Sequence, residues 1–329
     1  MIARRAVVMG SAFATFGFGP IGFADDLPTS YPSGPITFVV AFPPGGSIDA
    51  VMRAIAPKLQ ERLGKPVVIE NRAGAGGNVA AVAVAKAIPD GQTLLAPASS
   101  LAANPTLVKH MPFDTLRDLQ AVALLFRTPL ALVVHPSVPA KSVTELLDLL
   151  RQKPGEITFG HSGTGAAIFL AAELFQSMTG TRMNGIAYRG APPALNDVMA
   201  GHVALMFADA GSVVSQINAG RVRALGVSSV TRVPALQEVP TIAESGVPGF
   251  DAVGWTMICA PAATPTPIIN RLHGELNAVM ALPEIRDFVL RLGIIPVESP
   301  PPSELQSFLA SEIERWGRVI ERAGLARTE

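Results

Sequence analysis

An α/β fold in two lobes is what this sequence predicts. Short apolar runs alternate along it with amphipathic stretches of helical period, the pattern of parallel sheets covered by helices on both faces. At 329 residues the chain is long enough for a large core divided between two lobes. Two long extended segments, 120–135 and 251–260, read as crossings from one lobe to the other. On this reading lobe one takes 25–125 and 255–329, and lobe two takes 126–254.

The first element is a leader. Arg4 and Arg5 form a basic start, 6–18 is an uncharged apolar stretch, and Gly22-Phe23-Ala24 offers small residues for cleavage. A membrane anchor is the alternative, but Gly17, Gly19, Pro20 and Gly22 interrupt a segment already short for a span. Residues 1–24 are therefore expected to be a cleaved export signal. Strands are expected at 36–42, 67–70, 93–96, 130–135, 157–159, 203–207 and 222–227. Helices are expected at 51–63, 79–88, 143–150, 166–178 and 194–200. Ser142-x-x-Glu145 opens the third helix as a capping box and Gly180 closes the fourth. Pro57 should kink or shorten the first helix. After the second crossing, helices are expected at 267–280, 283–292 and 303–323, the last starting at Ser303-x-x-Gln306.

Composition removes several function classes. Lys plus Arg and Asp plus Glu are 26 each, and aromatics are 6%. Nothing in that balance favours nucleic acid or an acidic membrane surface as a partner. The single cysteine, Cys259, excludes an intrachain disulfide and reads as a buried core thiol. The five histidines are scattered, and no HExxH or CxxC occurs, so no metal and no cofactor is expected.

Three glycine-rich loops remain. Phe42-Pro43-Pro44-Gly45-Gly46-Ser47-Ile48-Asp49 follows the first strand and opens the first helix. A helix start preceded by glycines presents free N–H groups and a positive dipole end, so it can hold an anion without Lys or Arg. The plainer reading is a tight turn, with Asp49 complementing the dipole. Phe159-Gly160-His161-Ser162-Gly163-Thr164-Gly165-Ala166 repeats the arrangement in lobe two with hydroxyls added. Facing one another, the two loops could grip a carboxylate. The third cluster, Arg72-Ala73-Gly74-Ala75-Gly76-Gly77-Asn78, fails the dinucleotide pattern because Val79 stands where glycine is needed; it reads as a tight connection.

Ser162 as nucleophile with His161 as base would make a serine hydrolase. The elbow requires glycine two residues after the serine, and Thr164 is there; adjacent residues also seldom reach that geometry. Tyr188 could line a cleft or be an ordinary half-buried aromatic. Asp209 ends a strand, where ligands of parallel sheets collect, or caps the segment beginning at Gly211.

Taken together these residues resemble the periplasmic solute receptors of the tripartite tricarboxylate transporter family, the Bug proteins. The resemblance covers about 31–325. It rests on Pro35-Ile36, the 42–49 run, Val68-Ile69-Glu70-Asn71-Arg72-Ala73-Gly74-Ala75-Gly76-Gly77-Asn78, Pro89-Asp90-Gly91-Gln92-Thr93-Leu94, Ser162-Gly163-Thr164-Gly165, Tyr188-Arg189-Gly190-Ala191-Pro192, Val239-Pro240-Thr241-Ile242-Ala243-Glu244-Ser245-Gly246 and Ala260-Pro261. It implies a two-lobed periplasmic binding protein, type II-like, with two crossover strands. It also implies that Phe42, Pro43, Gly45, Gly46, Ser47 and Asp49 of one loop, and His161, Ser162, Gly163, Thr164, Gly165 and Ala166 of the other, pinch a carboxylate, with Tyr188 and Asp209 bordering the cleft. Pro44, His161, Ala166 and Phe169 depart from residues common in the family. The expectation is a monomeric, non-enzymatic periplasmic receptor that closes over a small organic carboxylate and delivers it to multispanning membrane transporter subunits. A ligand-sensing partner of a membrane kinase is the alternative. Whether Arg127 or Arg189 meets the ligand is left open.

Overall fold

The computed structural model describes residues 31–328; the expected signal at 1–24 lies outside them. The chain begins β1 (Ile36–Val40), α1 (Ser47–Leu63), β2 (Val67–Asn71), α2 (Asn78–Ala85), β3 (Thr93–Ala96), α3 (Ser100–Leu107), the short α4 (Thr115–Asp118) and β4 (Leu119–Thr128). Pro129 alone separates β4 from β5 (Leu130–Val134), which is followed by α5 (Val143–Gln152), β6 (Thr158–His161), α6 (Ala167–Thr179) and β7 (Asn184–Ala187). Next come α7 (Ala191–Ala200), β8 (Leu205–Asp209), α8 (Ala210–Asn218) and β9 (Arg223–Val227). The chain then returns through β10 (Gly254–Pro261), α9 (Thr266–Met280), α10 (Pro283–Arg291), β11 (Ile295–Pro296) and α11 (Pro302–Arg322).

Two sheets result, one per lobe: a six-stranded sheet in the order β11-β4-β10-β3-β1-β2 and a five-stranded sheet in the order β7-β6-β8-β5-β9. Both are mixed, where parallel sheets were expected. β10 runs antiparallel to β3 and β4, and β5 antiparallel to β8 and β9. The reason is the crossing itself. Strands β1, β3, β4, β6 and β8 end toward the neighbouring lobe, whereas β5 and β10 enter from that side. A parallel neighbour needs a crossover within its own sheet; a strand arriving from the other lobe does not.

The first sheet is buried on both faces, so β1 alternates without a polar side. Ile36, Phe38 and Val40 join one cluster with α1 and α9, while Val39 and Ala41 join the other. This second cluster continues into lobe two, and α11 lies against α3 and β4 and reaches α6. At the crossings Glu312 accepts hydrogen bonds from the indoles of Trp255 (2.9 Å) and Trp316 (3.0 Å), tying β10 to α11.

Local signals held unevenly. The Ser142 hydroxyl caps the Glu145 N–H at 3.2 Å, and Gly180 ends α6 in the left-handed region at φ 66°. Pro57 neither ends nor splits α1, which runs on to Leu63. α11 starts on Pro302 with no side-chain cap; the Gln306 carbonyl is drawn away to the Ala121 N–H at 3.0 Å.

Candidate functional site

In the loop after β1, Asp49 does the shaping. It is buried in the first turn of α1, and its Oδ2 accepts the Gly45 N–H at 2.9 Å. Its Oδ1 accepts from Arg53 Nε (3.0 Å) and Asn71 Nδ2 (2.9 Å), and Asn71 also donates to the Phe42 carbonyl (3.1 Å). Burial works against the charge, but the hydrogen bonds from Arg53, Gly45 and Asn71 outweigh it and hold this carboxyl below its ordinary range. The brace fixes Gly45 at φ 88°, where a side chain would be strained. No side chain caps α1, whose N-cap is Gly46.

In the loop after β6, His161 plays a comparable part. Its ring is buried, 5.5 Å from that of Phe159 and 4.6 Å from that of Phe169. Its Nδ1 accepts the Gly163 N–H at 3.3 Å. Burial in this apolar setting lowers its pKa, so the imidazole is neutral and acts as an acceptor. No hydrogen bond joins it to Ser162, so the base–nucleophile pair weighed for a hydrolase is not formed. α6 starts after Ala166 without a side-chain cap. Gly165 brings this loop against lobe one: a Cβ there would stand 2.8 Å from Leu107 Cδ2.

Two cavities lie where the lobes meet. The first, about 460 Å³, has Ser162, Gly163, Thr164, Gly165 and Ala166 on one wall. Its opposite wall comes from Phe42, the turn containing Ala75, Gly76 and Asn78, and the first residues of α3 with Asn104. The N-termini of α2, α3 and α6 converge on it, none with a side-chain cap, and no charged side chain lines it. Asn104 holds the α2 turn in place through the Asn78 side chain (2.8 Å) and the Gly76 carbonyl (3.2 Å).

The second cavity, about 340 Å³, is lined by Gly45, Gly46 and Ser47 from lobe one and by Asp209 and Ser212 from lobe two, with Arg291 on its exposed edge. Gly211, at the start of α8, meets the turn after α10 backbone to backbone: a Cβ on it would overlap the Leu292 carbonyl. A larger hollow of about 520 Å³ lies among Pro105, Met111–Arg117 and Ile313, within lobe one and away from the strand ends.

The structure thus divides the expected residues. Phe42 and the 162–166 loop share the first cavity, while Gly45, Gly46 and Ser47 join Asp209 at the second. Pro43, Asp49, His161 and Tyr188 line neither. The Tyr188 hydroxyl donates to Asp197 Oδ2 at 2.6 Å, which pushes its pKa up to about 12. Arg127 and Arg189 line neither cavity. Sequence reasoning missed Ala75, Gly76, Asn78, Ser99, Ser100 and Asn104. The signal for the first three was the same strand–glycine–helix order that marked the other two loops, set aside once the dinucleotide pattern failed. Among the described residues no group of three or more His, Cys, Asp or Glu could hold a metal ion, and no helix is long and apolar enough to cross a membrane.

Comparison with known proteins matches residues 51–325 to the family described as tripartite tricarboxylate transporter family receptor. The protein BugT of Bordetella pertussis is 37% identical over 98% of this chain and 98% of its own. Among solved structures, R. palustris Rpa4515 with adipate shares 35% identity at a TM-score of 0.78, covering 90% of this chain and 99% of that one. MatC from Rhodopseudomonas palustris with bound malate shares 30% identity at a TM-score of 0.75, covering 88% and 100%.

Proposed function

The chain belongs to the tripartite tricarboxylate transporter receptor family, and from that premise we propose that it is an exported, periplasmic receptor that closes its lobes over a small organic carboxylate and presents it to membrane-spanning transporter subunits. The carrying observation is the 460 Å³ cavity at the lobe junction, walled by three helix N-termini without side-chain caps and by no formal charge. Each N-terminus carries a partial positive charge; N–H groups remain free mainly at the start of α6, since Leu101 and Ala102 of α3 donate to Ala98 and Ser99 and Asn78 of α2 donates to Ala75. Ser162, Thr164 and Ser99 stand beside them as neutral donors, while the Ser100 hydroxyl already donates to the Gly76 carbonyl. Such a wall favours an anion over a cation without a lysine or arginine. Relatives solved with adipate and with malate make carboxylates the first class to try.

Closure supplies the mechanism. The 162–166 loop belongs to lobe two and the α2 and α3 turns to lobe one, so a ligand touching both favours the shut form over the open one. The test is calorimetry and thermal melting of protein stripped of ligand by unfolding and refolding, against mono- and dicarboxylates. At least one acid should give heat and raise the melting temperature. Silence across the whole panel, with the protein refolded, overturns the reading.

A further inference from the structure

The geometry points to Asp209 as the residue that reads a hydrogen-bond donor on the ligand, so that this receptor selects carboxylates carrying a hydroxyl or ammonium group over plain ones. The inference rests on the reading above that the lobes close over a carboxylate, and concerns the second cavity at that lobe junction rather than the 460 Å³ one.

Asp209 stands at the N-cap of α8, a position where aspartate ordinarily accepts an N–H of its own helix. It makes no such bond. The hydroxyl of Ser212 closes the turn instead, donating to the Asp209 backbone carbonyl at 2.8 Å. Among the described residues no donor reaches the Asp209 carboxyl and no ion pair includes it. Arg291 lines the same cavity from its exposed edge without pairing to it. The carboxyl therefore lines the second cavity unpartnered, and burial pushes its pKa up. Asp209 is half-buried, so with no protein donor its carboxyl faces the cavity, open to a donor that enters. The close seating of Gly211 on the Leu292–Gly293 turn keeps that wall in place.

Across the same 340 Å³ lie Gly45, Gly46 and Ser47, at the uncapped start of α1. One wall thus favours negative charge, and the other supplies an acceptor that repels it. A molecule carrying both a carboxylate and an O–H or N–H donor satisfies both walls. A plain dicarboxylate would place a second anion beside Asp209, where like charges disfavour one another.

The test is calorimetry on ligand-stripped full-length protein with matched acids: succinate, malate and aspartate, then adipate and 2-aminoadipate, for wild type, Asp209→Asn and Asp209→Ala. Malate against aspartate distinguishes a hydroxyl from an ammonium donor. In wild type the donor-bearing acid of a set should bind at least about tenfold tighter than its plain partner, the effect of one hydrogen bond to a charged group. Both variants should lose most of that ratio, while the stripped variants melt no lower than wild type. A ratio unchanged by the variants, a wild-type preference for the plain acids, or variants that melt lower and lose all binding alike would each overturn the role given to Asp209. Failure of every acid to bind would overturn the carboxylate reading and this one with it; binding without an Asp209-dependent ratio overturns this one alone.

Discussion

Asp49 and Asp209 each stand near the start of a helix that follows a strand ending at the cleft, Asp49 in the first turn of α1 and Asp209 at the N-cap of α8. Their surroundings are opposite. Asp49 accepts from Gly45, Arg53 and Asn71 and is held below its ordinary pKa. Among the described residues the Asp209 carboxyl accepts from no donor, and it is pushed above its ordinary pKa. The first belongs to the fold, since it shapes a loop whose backbone does the facing. The second is left for something that enters. Position near a helix start marks both residues; hydrogen-bond satisfaction separates them.

The largest effect should come from breaking the satisfied member. Asp49→Ala removes the acceptor for three donors, and Gly45 and Asn71 lose their partner in a partly buried setting. The expected loss is about 3 kcal/mol of folding stability, read from urea unfolding. Asp209→Ala should cost none. Equal losses at the two positions would erase the contrast.

A smaller effect is expected at Gly211, the residue after Asp209. An Ala Cβ there collides with the Leu292 carbonyl, and backbone cannot yield as a flexible side chain can. The α8 start and the turn after α10 must then separate, and the shut form loses part of its advantage. Gly211→Ala should weaken whichever acid binds best by about thirtyfold, or roughly 2 kcal/mol, while the ligand-free protein unfolds at nearly the wild-type urea concentration. Calorimetry and solution scattering check this. Undiminished affinity would mean that the contact plays no part in closure.

What the chain made legible follows the same division between local and tertiary causes. The β/α alternation and the two crossings are readable because burial on both sheet faces writes long apolar runs into β1, β4 and β10. Strand direction was not readable: whether β5 and β10 run with or against their neighbours depends on which lobe the chain comes from. α3 was not expected, because its Pro105 hides a helical pattern, yet Pro105 sits inside the helix and Asn104 holds the α2 turn. The glycine loops were visible because a turn at the end of a strand leaves a local trace. The hydrogen bond from the Tyr188 hydroxyl to Asp197 left none. His161 was visible as a residue, but the packing of its ring on Phe159 and Phe169 is tertiary and leaves no local trace.

The smallest and most discriminating prediction concerns pH. A carboxyl whose folded pKa lies above the ordinary 3.8 holds its proton more tightly when folded. Its charged form therefore subtracts stability. The penalty is absent below 3.8, sets in as pH rises from there through the raised folded value, and is complete beyond it. Asp209→Asn removes the charge and keeps the shape, so in ligand-free protein it should stabilise by on the order of 1 kcal/mol at neutral pH, with the gain vanishing on acidification. Asp49 works the other way. Its folded pKa is depressed, so its contribution is present above 3.8 and lost as pH falls through the lower folded value. Asp49→Asn should destabilise at neutral pH, with a deficit that shrinks in acid. Urea unfolding of both variants from pH 3 to 7 should give two difference curves of opposite sign converging at low pH. A flat or negative curve for Asp209→Asn would mean that its carboxyl is already satisfied within the protein, and an aspartate satisfied by its own chain has no reason to wait for a ligand.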